Sequence, residues 1–432
     1  MAKKKRAEKP KEYTRRQLSH FQRQKRRQRL IFFSGISVIV AIVLIILVGW
    51  FVNDYRPLHR TVIKVGESEF NTAFYIDMLE NYARANPSIS MEYIHSSIPN
   101  IVAQDELIRL EAEPLGITVD DEEIRKTLEN AGQSATDADV TVVRTQQLVT
   151  RLKDEYFGTT VVPASADQVH IMAMLVESDS VAIEARDKLL NGENFSTMVA
   201  EYAQNSYSQS NEGDFGWHPA SILEDELGSL IPVDYAFGAE PGDLSPPLSD
   251  NESSKSLGYW LIKVLDRISD NETIVQALYL SSNEQALEIK ARLEAGDDLA
   301  ALADEYSQYT PSKEKHGDLG VMTQADNTTT VVSAAFDEYV FNPATELGKW
   351  SDPIADTVFS TKGGSWLVKV VEKEDNRTLS DDDRTYLIDK AYNEWINNLW
   401  LKYSAEIDMS GLEDVLTWAL ERVNKELGLA GG

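Results

Sequence analysis

Cysteine is absent from all 432 residues. A disulfide scaffold, a thiolate zinc site and a cysteine nucleophile are thereby excluded. Histidine is scarce, with six in the chain, and His20 and His59 flank an N-terminal apolar run. No HExxH, GxxxxGKS/T, GxSxG or dinucleotide-binding fingerprint occurs. Gly213-Asp214-Phe215-Gly216 and Gly317-Asp318-Leu319-Gly320 hold too few glycines for a phosphate loop. These absences point to a binding surface rather than an evident hydrolase or redox enzyme. No cofactor and no metal is expected.

Positive charge is also in short supply, with 42 Lys and Arg against 70 Asp and Glu. It is unevenly spread. Residues 1–30 hold thirteen of the cations and only Glu8 and Glu12, which leaves 29 basic and 68 acidic side chains beyond them. A body with a net charge of −39 repels phosphate backbones, so no nucleic-acid partner is expected. A composition of 42 % hydrophobic and 26 % charged residues is ordinary for globular protein. At roughly 150 residues per domain, two to four domains are expected.

Leu30 to Val52 is a run of 23 residues without a charge. As a helix it would be about 34 Å long, enough for a hydrocarbon core of ~30 Å. It is longer than the apolar region of a signal peptide and ends on Trp50 and Phe51, an interfacial pair. The cations before it predict a cytoplasmic arm over 1–29, a single span over 30–52 and an extracytoplasmic bulk. The lipid bilayer is thus the first expected partner.

Beyond the span the chain repeats itself. Gly192-Glu193-Asn194-Phe195 recurs as Gly296-Asp297-Asp298-Leu299, Glu201-Tyr202 as Glu305-Tyr306, and Tyr235-Ala236-Phe237 as Tyr339-Val340-Phe341, all 104 residues on. The two Gly-Asp motifs share that offset. Ser245-Pro246-Pro247-Leu248 recurs as Ser351-Asp352-Pro353-Ile354, and Trp260-Leu261-Ile262-Lys263-Val264 as Trp366-Leu367-Val368-Lys369-Val370, 106 residues on. Two tandem domains follow, 166–270 and 271–375. Val169–Val176 and Leu257–Leu265 have strand character, Ser180–Asn191 and Phe195–Gln204 helical spacing, and Gly213–Trp217 is a short strand. The pattern predicts an α+β domain, with helices on a small mixed sheet.

The flanks read as helical. Thr61–Val65 is a short strand leading to a helix near Thr72–Ala85, and Pro99 suits the first turn of the next helix. Asp120 with Glu123, and Ser380 with Asp383, are helix starts. Ile388, Tyr392, Trp395, Leu399 and Tyr403 form an apolar stripe that needs a partner. A helical domain over 53–165, completed by 378–408, is expected, with C-terminal helices over 376–432.

In their order, His170-Ile171-Met172, Gly192-Glu193-Asn194-Phe195, Ala200-Glu201-Tyr202, Gly213-Asp214-Phe215-Gly216-Trp217 and Leu257-Gly258-Tyr259-Trp260-Leu261-Ile262-Lys263-Val264 resemble a parvulin-type (PpiC-like) peptidyl-prolyl isomerase domain. The second repeat resembles it through Glu305-Tyr306-Ser307, His316-Gly317-Asp318-Leu319-Gly320 and Trp366-Leu367-Val368-Lys369-Val370. The flanks, such as Leu115-Gly116-Ile117-Thr118-Val119-Asp120, resemble the helical domain of SurA/PrsA-class export foldases. The resemblance implies rotation about X–Pro amides, a barrier of ~18–20 kcal/mol. It implies a site of two facing histidines, a Cys or Asp and an apolar cup. His170 matches the first histidine, Ser206 stands for the Cys or Asp, Leu223 and Phe237 for the cup, and Trp260 for the second histidine. In the second repeat Ala277 or Leu278, Thr310, Asn327 and Trp366 replace the corresponding groups and only Phe341 survives, so any activity is expected in the first repeat. Read by residue type alone, Asp214 and Asp318 are turn residues and both tryptophans core.

The expected function is a membrane-anchored extracytoplasmic foldase acting on unfolded or proline-containing exported polypeptides. The alternative is a non-catalytic membrane-tethered chaperone or scaffold with degenerate parvulin domains.

Overall fold

The computed structural model describes residues 15–324 and 330–428. The first fourteen residues of the basic arm and Asn327 lie outside them. The chain divides into two compact units, residues 1–161 with 389–432, and residues 162–388.

The strands, in chain order, are β1 (Thr61–Val65), β2 (Ser68–Asn71), β3 (Ser165–Val176), β4 (Asp214–Pro219), β5 (Leu248–Lys255) and β6 (Gly258–Ser269). They continue with β7 (Glu272–Leu280), β8 (Asp318–Thr323), β9 (Ile354–Asp356), β10 (Thr361–Thr378) and β11 (Ile407–Asp408).

In the first unit, the helix Arg15–Trp50 runs into a π-helical turn, Phe51–Tyr55. Phe32–Leu58 is the one stretch among the described residues long and apolar enough to cross a membrane, with mean hydropathy 3.0 and none of it buried. The β1–β2 hairpin turns on Gly66 at φ +57°, and β11 pairs with β1 through Val65 and Ile407. Asn71 caps the helix Thr72–Ala85 by accepting the Phe74 N–H at 3.0 Å.

Pro99 corrects the sequence expectation. It lies inside the helix Met91–Ala112 rather than in a first turn. A proline there leaves the carbonyl four residues earlier without its donor. The Tyr75 hydroxyl donates to that carbonyl, of His95, at 3.3 Å. The helix therefore continues through a residue that would ordinarily break it. Asp120 accepts the N–H groups of Glu122 and Glu123 and caps the helix Asp121–Asn130. Tyr392 and Trp395, from the stripe on the helix Asp381–Lys402, meet the Phe157 ring edge-on, each at 5.9 Å.

The second unit holds two four-stranded sheets, ordered β4-β3-β10-β5 and β8-β7-β6-β9. Every pairing in them is antiparallel, where a mixed sheet was expected. The sheets also ignore the repeat boundaries. By sequence β6 closes the first repeat and β10 the second, yet β6 lies beside β7 and β9, and β10 beside β3 and β5. Each sheet receives its last strand from the other repeat.

Chain connectivity gives a physical reason. Only Asp270 and Asn271 separate β6 from β7, so their pairing is a tight hairpin. Pairing β6 with β3 and β10 with β7 would close two loops of some 80 residues each. The observed arrangement closes one very short and one long loop instead. Because closure entropy grows only logarithmically with length, the exchange is favoured by about 2 kcal/mol. The crossing strands pass tightly: a Cβ on Gly258 would sit 2.4 Å from the Tyr279 ring and 2.6 Å from the Thr361 methyl.

Candidate functional site

Strand alternation decides which residues can meet. Val169, Ile171, Ala173 and Leu175 of β3 share one face and pack with Phe215, Leu223, Val233, Ala236, Trp366 and Phe237. Met172, Met174 and Val176 share the other face and pack under the helices Asp179–Leu190 and Phe195–Tyr202. With a side-chain period of two, His170 belongs to the second face. It is thus opposite to Leu223 and Phe237.

His170 lies beside its β4 neighbour Trp217, with ring centroids 6.1 Å apart, and its Nε2 is 2.8 Å from Asp214 Oδ1. Partial burial alone would push the Asp214 carboxyl up, but the Gly216 N–H and His170 hold it below the usual carboxylate range. Asp318 accepts the Gly320 N–H in the same way at 3.1 Å. Both aspartates fix a turn. The glycines before them are required on two counts. Gly213 has φ +82° and Gly317 +80°, and a Cβ would approach Val199 to 2.6 Å and Leu299 to 2.8 Å. Their carbonyls accept the Ala173 and Ala277 N–H groups, each at 2.9 Å. Ala173 and Ala277 are therefore equivalent positions, and His170 corresponds to Ile274.

Three sequence assignments change accordingly. His170 does not face the cup, because it lies on the β3 face opposite to Leu223 and Phe237. Leu223 is fully buried in the core and lines no open cleft. Trp260 is in the other sheet, among Val275, Ala277, Tyr279 and Phe336, so it never meets His170, Leu223 or Phe237. Ser206 is exposed at the start of the helix Ser206–Ser210. Thr310 is likewise exposed. Leu223 and Phe237 do come together.

The group that joins them is Trp366, contributed by the other repeat. Its indole is 1 % exposed and donates to Asp250 Oδ2 at 3.1 Å. Burial would raise the Asp250 carboxyl, yet Ser229, Ser253 and the N–H groups of Glu252 and Ser253 bring it down to about 2. The second sheet repeats the device. The Trp260 indole donates to Asp356 Oδ2 at 2.8 Å, and Ser333 donates to the same oxygen. Tyr279, Tyr309, Phe336 and Phe359 enclose the ring at 4.5–6.1 Å. Asp250 and Asp356, and Ser229 and Ser333, were missed in the sequence. They recur at the same offsets of 106 and 104, which would have revealed them. Each of the two clusters thus holds an indole. Among the described residues, this unit also has a groove of ≈ 800 Å³ lined by polar side chains including Glu252, Gln308, Lys313 and Lys362.

Residues 268–374 match the PPIC-type PPIASE domain model. This stretch is similar to a PPIC-type, parvulin-like domain, and the chain is similar to PrsA and SurA proteins. It is 29 % identical over 158 residues to the Foldase protein PrsA of Oceanobacillus iheyensis, covering 34 % of this chain and 49 % of that protein. It is 24 % identical over 250 residues to the Chaperone SurA of Alkalilimnicola ehrlichii, covering 52 % of this chain and 53 % of that one. The chain spans about half the length of these curated relatives. The crystal structure of peptidylprolyl isomerase PrsA from Bacillus cereus covers 86 % of this chain and 99 % of its own, at 12 % identity and a TM-score of 0.28, too low to establish a shared arrangement. At family level the PPIC-type domain is that of a peptidyl-prolyl cis-trans isomerase. The match falls on the second repeat, and its last strand, β10, lies in the sheet of the first.

Proposed function

We propose that this PrsA/SurA-like chain is a membrane-tethered, extracytoplasmic chaperone of the foldase type that holds unfolded exported polypeptides. Its parvulin-type domains act as binding and scaffolding modules. The observation that carries this reading is the indole in each cup. Rotation of an X–Pro amide requires a cup that admits the pyrrolidine ring and groups that favour the twisted amide over the planar one. Here Trp366 and Trp260 fill that space from within, each anchored to a carboxylate. His170, the group that would favour a catalytic first repeat, faces away from Leu223 and Phe237. The names of the relatives, foldase and chaperone, support the polypeptide-holding role. The apolar helix Phe32–Leu58, with thirteen cations before it, supports the tether and the outward orientation of the bulk.

The test uses the full chain in nanodiscs, with light scattering from an unfolded secretory reporter as the readout. Aggregation is suppressed at near-stoichiometric amounts of the chain. Scattering identical to that with empty nanodiscs refutes the proposal. The orientation is checked by protease treatment of intact cells, which removes residues beyond 60 and spares the arm. Protection of the bulk contradicts it.

A further inference from the structure

The juxtamembrane segment and the C-terminal helix of the first unit line an open, solvent-facing cavity that the chaperone role does not use. It measures ≈ 770 Å³ and is lined by Phe51, Tyr55, Arg56, Arg60, Asp414 and Trp418, among others. Its aromatic wall is ordered: the Tyr55 ring stacks on Phe51 at 5.6 Å and on His59 at 4.0 Å. Arg60 pairs with Asp414, which ties the segment before Leu416–Glu426 to the same level. Arg56 is exposed and has no acidic partner among the described residues.

Depth along the chain gives the site its chemistry. Arg56 lies four residues past Val52, the last residue of the uncharged run. At the α-helical rise four residues span about 6 Å, which the π-helical turn Phe51–Tyr55 shortens somewhat. The headgroup band of each leaflet is about 5–7 Å thick. Arg56 therefore falls at the level of lipid phosphates, and Tyr55 and Trp418 at the level where amphipathic rings settle. The surrounding body carries −39 and repels an anionic leaflet, so this free cation is where such a leaflet would be held.

We propose that this cavity binds the headgroup of an anionic glycerophospholipid of the outer leaflet, with the phosphodiester on Arg56 and the glycerol region against Tyr55 and Trp418. The site rests on the tether reading above. It would fix the first unit against the bilayer rather than leave it on a swivelling stalk. A single cation near an anionic surface is worth about fivefold in binding.

The experiment uses the full chain in mixed micelles, with native mass spectrometry counting retained phosphatidylglycerol against phosphatidylcholine. The basic arm also attracts anionic lipid, but equally in every variant. R56Q lowers phosphatidylglycerol retention about fivefold, W418A lowers it too, and K126Q, at an exposed cation remote in sequence, leaves it unchanged. Equal retention in the parent and R56Q overturns the site. Displacement of the lipid by an equal concentration of inorganic phosphate also overturns it, since the ligand is then simple phosphate. Flotation with liposomes separates the two claims. A parent chain that fails to float refutes the tether, whereas parent and R56Q floating alike with equal retention refutes only the headgroup site.

Discussion

Replacing Trp366 by alanine distinguishes the exchanged sheets from a simple tandem arrangement. By sequence Trp366 belongs to the second repeat, but its side chain fills the core beside Leu223 and Phe237 of the first. The ring is 1 % exposed, and aromatic-to-alanine changes at such sites cost about 3–5 kcal/mol. Losing the indole donor adds little. Asp250 keeps the Ser229 and Ser253 hydroxyls at 2.6 and 2.8 Å and two backbone donors at 2.9 and 3.0 Å, so no carboxylate is orphaned. A loss of that size lowers amide protection by about a hundredfold or more where the core opens locally. Hydrogen exchange read by mass spectrometry should show it in peptides covering 169–176 and 222–237. Peptides covering 272–280 and 299–306 should stay closer to the parent. The mirror change, W260A, should reverse the pattern. If W366A loosens 272–280 first, the strands are not exchanged and the account of the fold is wrong.

Lys255 offers a pH test. Burial presses its ammonium down from 10.5 to about 8, against the opposing pull of Glu177, and its Nζ donates to the Gly363 carbonyl beside the crossover. Between pH 8 and 10.5 the unfolded chain binds the extra proton, so the wild type gains stability as pH rises through that window. K255M should lack that gain in urea midpoints measured at pH 7.5 and pH 10, and parallel shifts in both proteins would contradict the burial argument. The fragment 257–360 contains all of β6, β7, β8 and β9 and should fold alone with a cooperative thermal transition by circular dichroism. A featureless melt would show that it depends on the other sheet.

Much of the layout is legible in the sequence because local chemistry dictates it. The Asn71, Asp120 and Ser380 caps, and the glycines at 213 and 317, act within a few residues of themselves. Partner choice is different. β6 and β10 carry nearly the same side chains, so either repeat could use either strand, and the two-residue link to β7 tips the balance. No residue type announces that. The register of His170 fails for a related reason. A shift of three positions along β3 moves a side chain to the opposite face, and the family motif tolerates such a shift on paper. The chain's own 104-residue offset does not, since it aligns Ala173 with Ala277. Pro99 escapes because its compensation comes from Tyr75, 24 residues earlier, which no local rule sees.

The central claim is that the indoles of Trp366 and Trp260 leave neither cup able to turn a proline. The direct measurement is cis–trans exchange of a proline-containing tetrapeptide followed by magnetisation-transfer NMR with the full chain in nanodiscs. The account predicts an exchange rate equal to that with empty nanodiscs, from a preparation that suppresses reporter aggregation. A rate faster than with empty nanodiscs would contradict it.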